Sequence, residues 1–183
     1  MKATIFLLAL VTAMIGFRFV ASTALSDVTD SLELRNLDRY NRITEQPFQM
    51  DDWTAELCRD IDKTTLGPHM PVHFKSAFCN VYVNDVAKKP MISGVGIYPE
   101  GSIIIKSKLA TIDDKEPELY TVMQKMKDGY DAEHGNWKYF VVDGSSLRQL
   151  AVGRIDSCIE CHLHYKKTDH VTREYLKEKQ RTK

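Results

Sequence analysis

The alternation of apolar and polar side chains divides this chain into a strand-rich centre and two polar ends. From Ser76 to Asn84, Phe78, Asn80 and Tyr82 alternate with Cys79, Val81 and Val83, the period of two that sends successive side chains to opposite faces of a strand. Asn84 then predicts a short capped helix through Lys88, ended by Pro90. Pro99-Glu100-Gly101 predicts a turn into a strand over Ser102 to Leu109, where Ile103, Ile104 and Ile105 in succession imply burial on both faces. Leu119 to Met126 fits helix or strand by pattern, and Tyr120, Thr121 and Val122 decide for strand. Asp128 to Asn136 is rich in turn formers, and Trp137 to Val142 is another aromatic strand. These two strands predict a hairpin, with Asp143-Gly144-Ser145-Ser146 ending the second. Residues 25–50 are polar and mixed, with helical stretches expected from Asp30 to Arg42, and Gly67-Pro68-His69 with Met70-Pro71 marks an irregular connection. A last helix is expected from about Ser157 towards Lys177. The resulting fold class is α+β: a mainly antiparallel sheet with a C-terminal helix against it.

The N-terminus adds an address. Lys2 supplies a short positive region, Ile5 to Gly16 an apolar core too short to span a membrane, and Ser22-Thr23-Ala24 small residues suited to cleavage after Ala24. Residues 1–24 therefore read as a signal peptide, with an uncleaved anchor the alternative that the late Arg18 leaves open. No later apolar run approaches the roughly 20 residues of a transmembrane helix. Export, to a periplasm or beyond the cell, is the expectation. Residues 25–183 have a natural size for a single domain. The 25 basic and 25 acidic residues balance, which argues against a nucleic-acid surface. The basic run Lys177, Lys179, Arg181 and Lys183 reads as a solvated tail.

The chemistry is concentrated in Cys158-Ile159-Glu160-Cys161-His162. Two thiols at this spacing can each add to a vinyl group of a porphyrin, and the following imidazole is then placed to bind the iron, so the motif reads as covalent c-type haem attachment. A zinc half-site would need two more ligands at a recognisable spacing, and His164 and His170 do not provide it. A thioredoxin-like pair would open a helix after a strand in a βαβ unit, and this motif lies near the C-terminus. With the haem cysteines assigned, Cys58 and Cys79 remain. In an oxidising compartment they suggest a disulfide closing about 20 residues, worth about 3 kcal/mol by chain entropy, against two buried thiols.

The position of the motif bears on what the iron can do. No methionine follows Met126, and only 21 residues follow His162. His164 and His170 are expected on the same helix as His162 and cannot easily reach the opposite haem face. Five-coordinate iron is the default, and an open position favours ligand binding or chemistry over simple electron transfer. His69, His73 and His134 read as loop residues. Tyr82, Tyr98, Trp137, Tyr139 and Phe140, at strand spacing, read as core and haem-wall packing.

The sequence resembles the cytochrome P-460 family, which includes the β-type cytochromes c′. The resemblance covers most of residues 76–172. It rests on Tyr82-Val83-Asn84, on Gly101-Ser102-Ile103-Ile104-Ile105-Lys106, on Gly129-Tyr130-Asp131 with Gly135-Asn136-Trp137, and on Cys158-x-x-Cys161-His162 followed by Lys167-Thr168-Asp169 and Val171. It implies a mainly antiparallel β fold, usually dimeric, with a C-terminal haem. Members of one kind oxidise hydroxylamine towards nitrous oxide and hand electrons to a partner such as a small cytochrome. The β-type cytochromes c′ bind nitric oxide without that activity.

Lys106 discriminates between the two. The resemblance implies that a lysine after the Gly-x-φ-x-φ strand bonds to a porphyrin meso carbon in the oxidases, giving a P-460-type haem, and the β-type cytochromes c′ lack the bond. The bland reading is a solvent-facing lysine. Lys106 shares its strand face with Ile104, so a haem-facing position is credible. The oxidases also place a proton-moving carboxylate on the strand before the Gly-Asn-Trp turn. Thr121, or its neighbour Tyr120, occupies that place here, which weakens proton removal without preventing ligand binding. Glu118 is close, on an undetermined side of the strand.

Overall fold

The computed structural model describes residues 33–51, 77–94 and 96–176. The expected signal peptide, Cys58 and hence any bridge to Cys79, the Gly67–Pro71 connection, His69, His73 and the basic tail lie outside the described residues. No helix among those described is long and apolar enough to cross a membrane.

Among the described residues, seven strands form one antiparallel sheet. In chain order they are β1 (Asn41–Arg42), β2 (Phe48–Gln49), β3 (Phe78–Val83), β4 (Ile103–Leu109), β5 (Leu119–Lys125), β6 (Trp137–Asp143) and β7 (Gln149–Gly153). The spatial order is β1-β3-β4-β5-β6-β7, with β2 also pairing β3. In β3 the alternation appears as expected: Cys79, Val81 and Val83 are buried while Phe78, Asn80 and Tyr82 are half-buried. The isoleucine run splits between faces. Ile104 joins Val81, Met123, Trp137 and Tyr139 on one side, and Ile105 joins Val122, Phe140 and Val142 on the other. Both faces are covered, so the continuous apolar run in β4 has a physical reason.

Helix α1 (Asp85–Ser93) covers part of the first face through Ala87 and Met91. Asn84 caps it, its Oδ1 accepting from Ala87 N at 3.1 Å and from Ile103 N at 3.0 Å, while its Nδ2 donates to Gly101 O at 2.8 Å. One side chain thus ties the helix start to the entry of β4. The expected stop at Pro90 is overturned: Pro90 lies inside the helix with its ring buried, and burial is set against a lost backbone bond of about 3 kcal/mol. The helix ends at Gly94, whose φ of 65° supplies the left-handed cap and whose missing Cβ leaves room for the Arg173 guanidinium.

Two further expectations change. Where helical stretches are expected from Asp30 to Arg42, the described residues before β1 hold one 3₁₀ turn, Leu37–Arg39. The C-terminal helix α2 covers only Asp156–Leu163. Beyond it a 3₁₀ turn, Lys166–Thr168, leads to Asp169 and His170, both at positive φ. Thr168 Oγ1 lies 3.0 Å from Tyr165 O and 2.7 Å from Val171 O, side-chain bonding that competes with a continuing helix.

Candidate functional site

The sheet forms one wall of a cavity, and α2 with the segment after it forms the opposite wall. Across the sheet, Val81, Lys106, Thr121, Val141 and Ala151 stand in register as one row, and Val83, Ile104, Met123, Tyr139 and Gly153 as the next. Lys106, Thr121, Ile104 and Tyr139 line the cavity from these rows, and Cys158, Cys161 and His162 line it from α2. The space, its mouth included, is about 1050 Å³, at the upper end of the range of about 300–1,000 Å³ for small-molecule and cofactor sites. Strand alternation and the three- and four-residue spacing of a helix face therefore bring Lys106, Thr121, Cys158, Cys161 and His162 to one cavity, while Tyr82 packs on the opposite face of the sheet and Tyr98 and Trp137 do not line it.

His162 carries the most specific geometry. Its Nδ1 lies 2.6 Å from the carbonyl oxygen of His170. A carbonyl only accepts, so Nδ1 bears the proton and Nε2 of the neutral ring has a bare lone pair. Burial first, then the Lys106 ammonium, pushes the imidazole down to about 3, against the opposing pull of the His170 carbonyl. The ring is thus neutral at physiological pH, the form that binds a metal. A ligand histidine typically donates its other ring N–H to a carbonyl or carboxylate in this way.

The walls also fit a bound group. The Tyr139 hydroxyl is buried without a hydrogen-bond partner among the described residues, and its ring lies 5.5 Å from that of His162. An unsatisfied buried hydroxyl costs about 1–3 kcal/mol, so this one fits a partner beyond the described residues, such as a bound group in the cavity. Burial raises Tyr139 well above the ordinary tyrosine range, which keeps it a proton donor. Lys106 Nζ lies 5.0 Å from the centre of the Tyr175 ring.

Some placements correct or extend the sequence reading. Thr121, not Tyr120, faces the cavity; Tyr120 packs on the opposite side of the sheet. His164 is exposed at the end of α2, and His170 is off that helix altogether, serving through its backbone. His134 is half-buried, with Nδ1 2.9 Å from Asp131 Oδ1, rather than a plain surface residue. Lys108, only 1% exposed, lines the same cavity two residues beyond Lys106. The period of two announced it. Met50, Met123, Asp51 and Glu174 also reach the walls. Only Met123, at an even step from Thr121 along β5, had a signal in the sequence.

A sheet wall, a facing Cys-x-x-Cys-His helix and a neutral histidine lining the cavity between them fit the site of a haem protein. A sequence model of the cytochrome P-460 family matches residues 59–173, well over half the chain, and the chain belongs to that family. The family brings with it a haem cofactor. No curated protein matches the chain.

Proposed function

We propose that this chain is an exported c-type haem protein that oxidises hydroxylamine towards nitrous oxide. Cys158 and Cys161 would hold the porphyrin through thioethers, His162 would bind the iron, and Lys106 would form the meso cross-link of a P-460-type haem. Haem iron supplies a one-electron redox centre with a position open to a small nitrogenous ligand. The single observation that carries this reading is Lys106 on the sheet wall of the cavity that Cys158, Cys161 and His162 line from the helix.

The chain's own groups do the rest. Converting two hydroxylamine molecules to nitrous oxide and water releases four protons with four electrons, so acceptors are required near the site. Thr121 offers no carboxylate, but Asp51 and Glu174 on the cavity wall do. Tyr139 offers a hydrogen bond to whatever fills the space. The apolar walls from Ile104, Met123, Val141 and Val171 exclude water and strengthen these contacts. Periplasmic residence, a homodimer and a small cytochrome as electron acceptor complete the proposal.

A second reading is favoured by Thr121 itself. With no carboxylate on that strand, the chain would capture nitric oxide as the β-type cytochromes c′ do, without oxidase activity. The ferrous absorption spectrum of the haem-loaded protein separates the two. A red-shifted Soret band with hydroxylamine turnover supports the oxidase, and an ordinary c-type band without turnover sinks it in favour of the binding protein.

A further inference from the structure

Asp169 and His170 are consecutive non-glycine residues at positive φ, 54° and 64°. Such a pair is uncommon and persists only where the surroundings over-determine it. The surroundings are specific. The Asp169 carboxylate, 9% exposed, receives Lys125 Nζ at 2.8 and 2.6 Å on its two oxygens, and Lys125 is itself 6% exposed. The same carboxylate accepts from Tyr98 N at 2.7 Å, and the Asp169 carbonyl accepts from Trp137 Nε1 at 2.8 Å. Lys125 Nζ also sits 5.0 Å from the centre of the Trp137 ring. Gly135 closes the set: a Cβ there would come within 2.7 Å of the His170 ring and 3.1 Å of Asp169 Oδ1. The next carbonyl along, that of His170, takes the proton-bearing Nδ1 of His162.

We infer that the buried Lys125–Asp169 ion pair is a positioning device for the iron ligand, holding the His170 carbonyl where it fixes the tautomer of His162 and strengthens Nε2 as an electron donor. Four hydrogen bonds converge on Asp169, the residue that sets the direction of the next carbonyl. An acceptor on Nδ1 gives the imidazole partial imidazolate character, which stabilises ferric over ferrous iron. The inference rests on His162 being the axial ligand.

The test uses the haem-loaded full chain. Asp169→Asn, and the charge-free pair K125M/D169N should the single change leave Lys125 too poorly compensated to fold, are compared with Asn84→Ala. The last removes a cap whose bonds run to Ala87, Gly101 and Ile103. Resonance Raman of the ferrous protein reads the iron–histidine stretch, and spectroelectrochemical titration reads the midpoint potential. The Asp169 variants should lower the stretching frequency and shift the ferric/ferrous equilibrium about tenfold towards ferrous, a rise of about 59 mV. Asn84→Ala should lose thermal stability with both readings unchanged. Asp169 variants that lose stability yet keep the wild-type band and potential overturn the inference. A high-spin ferrous wild-type protein with no iron–histidine band overturns instead the assignment of His162, and the inference with it; in a low-spin one the potential alone decides.

Discussion

Lys106 and Thr121 stand opposite each other on β4 and β5, in register and both on the cavity wall. The first is a nucleophile once neutral, and the second is a hydroxyl too weakly basic to take up a proton. If Lys106 is the cross-linking residue, Lys106→Leu should keep covalent haem and nitric-oxide binding, lose the red-shifted Soret band and lose most hydroxylamine turnover. Lys108→Leu, two residues along the same face, should retain the band. A red shift that survives the first change and vanishes with the second would reassign the cross-link to Lys108.

Cys158 and Cys161 lie in one helix on one cavity wall, so each can reach a vinyl group of the same porphyrin. Acidified organic solvent should therefore leave the haem on the denatured chain. Either single replacement by serine should leave one thioether, visible as a mass of chain plus haem. With Lys106 also replaced by leucine, the double replacement should lose the cofactor on denaturation, and a triple variant that retained it would remove these residues from the attachment.

What could be read in the sequence follows the strength of each local signal. β3, β4, β5 and β6 were legible because both faces are buried, so alternation and β-branched runs are enforced by the core. β7 was not: Gln149–Gly153 buries only Ala151, exposes Val152, and pairs through an irregularity at Val141/Val142. The end of α2 was missed because its cap, His164, carries no stop signal, and the left-handed Asp169 and His170 that turn the chain further on are non-glycine residues held by Lys125 and Trp137, both more than thirty residues away. The cysteines, His162 and Lys106 were legible as motif and periodicity. The His170 carbonyl, Met50, Asp51 and Glu174 were not, because a backbone acceptor has no side-chain signature and the other three reach the cavity only through the tertiary fold.

The turn between β6 and β7 gives a pH dependence. Partial burial pushes the Asp143 carboxyl up, but bonds from Ser146 and Ser145 outweigh it and hold it below the usual value. One oxygen, Oδ1, is met by Ser146 Oγ at 2.7 Å, Ser146 N at 2.8 Å and Ser145 Oγ at 2.9 Å. A depressed carboxyl contributes stability that is present in full above the unfolded value of 3.8 and is lost as pH falls through the lower folded value. Asp143→Asn should therefore lower the melting temperature near neutrality, with the difference from wild type shrinking below pH 3.8. A difference constant down to pH 2 would show that the charge contributes nothing.

His162 should be the only strong protein ligand to the iron. Its neutral ring, with Nδ1 committed to His170, offers Nε2 alone, and His164 is exposed at the helix end. The challenge comes from Met50 and Met123, whose side chains line the same cavity and whose thioethers are soft enough to bind haem iron. Met123 stands on the sheet in the row of Tyr139, and Met50 follows β2, so both belong to the walls facing α2. Magnetic circular dichroism of the ferric protein decides the matter. High-spin iron, unchanged in Met50→Leu and Met123→Leu, is the expected result, and it leaves a position open for hydroxylamine or nitric oxide. A low-spin histidine–methionine signature that disappears in one of these variants would name the sixth ligand and turn the protein into an electron carrier.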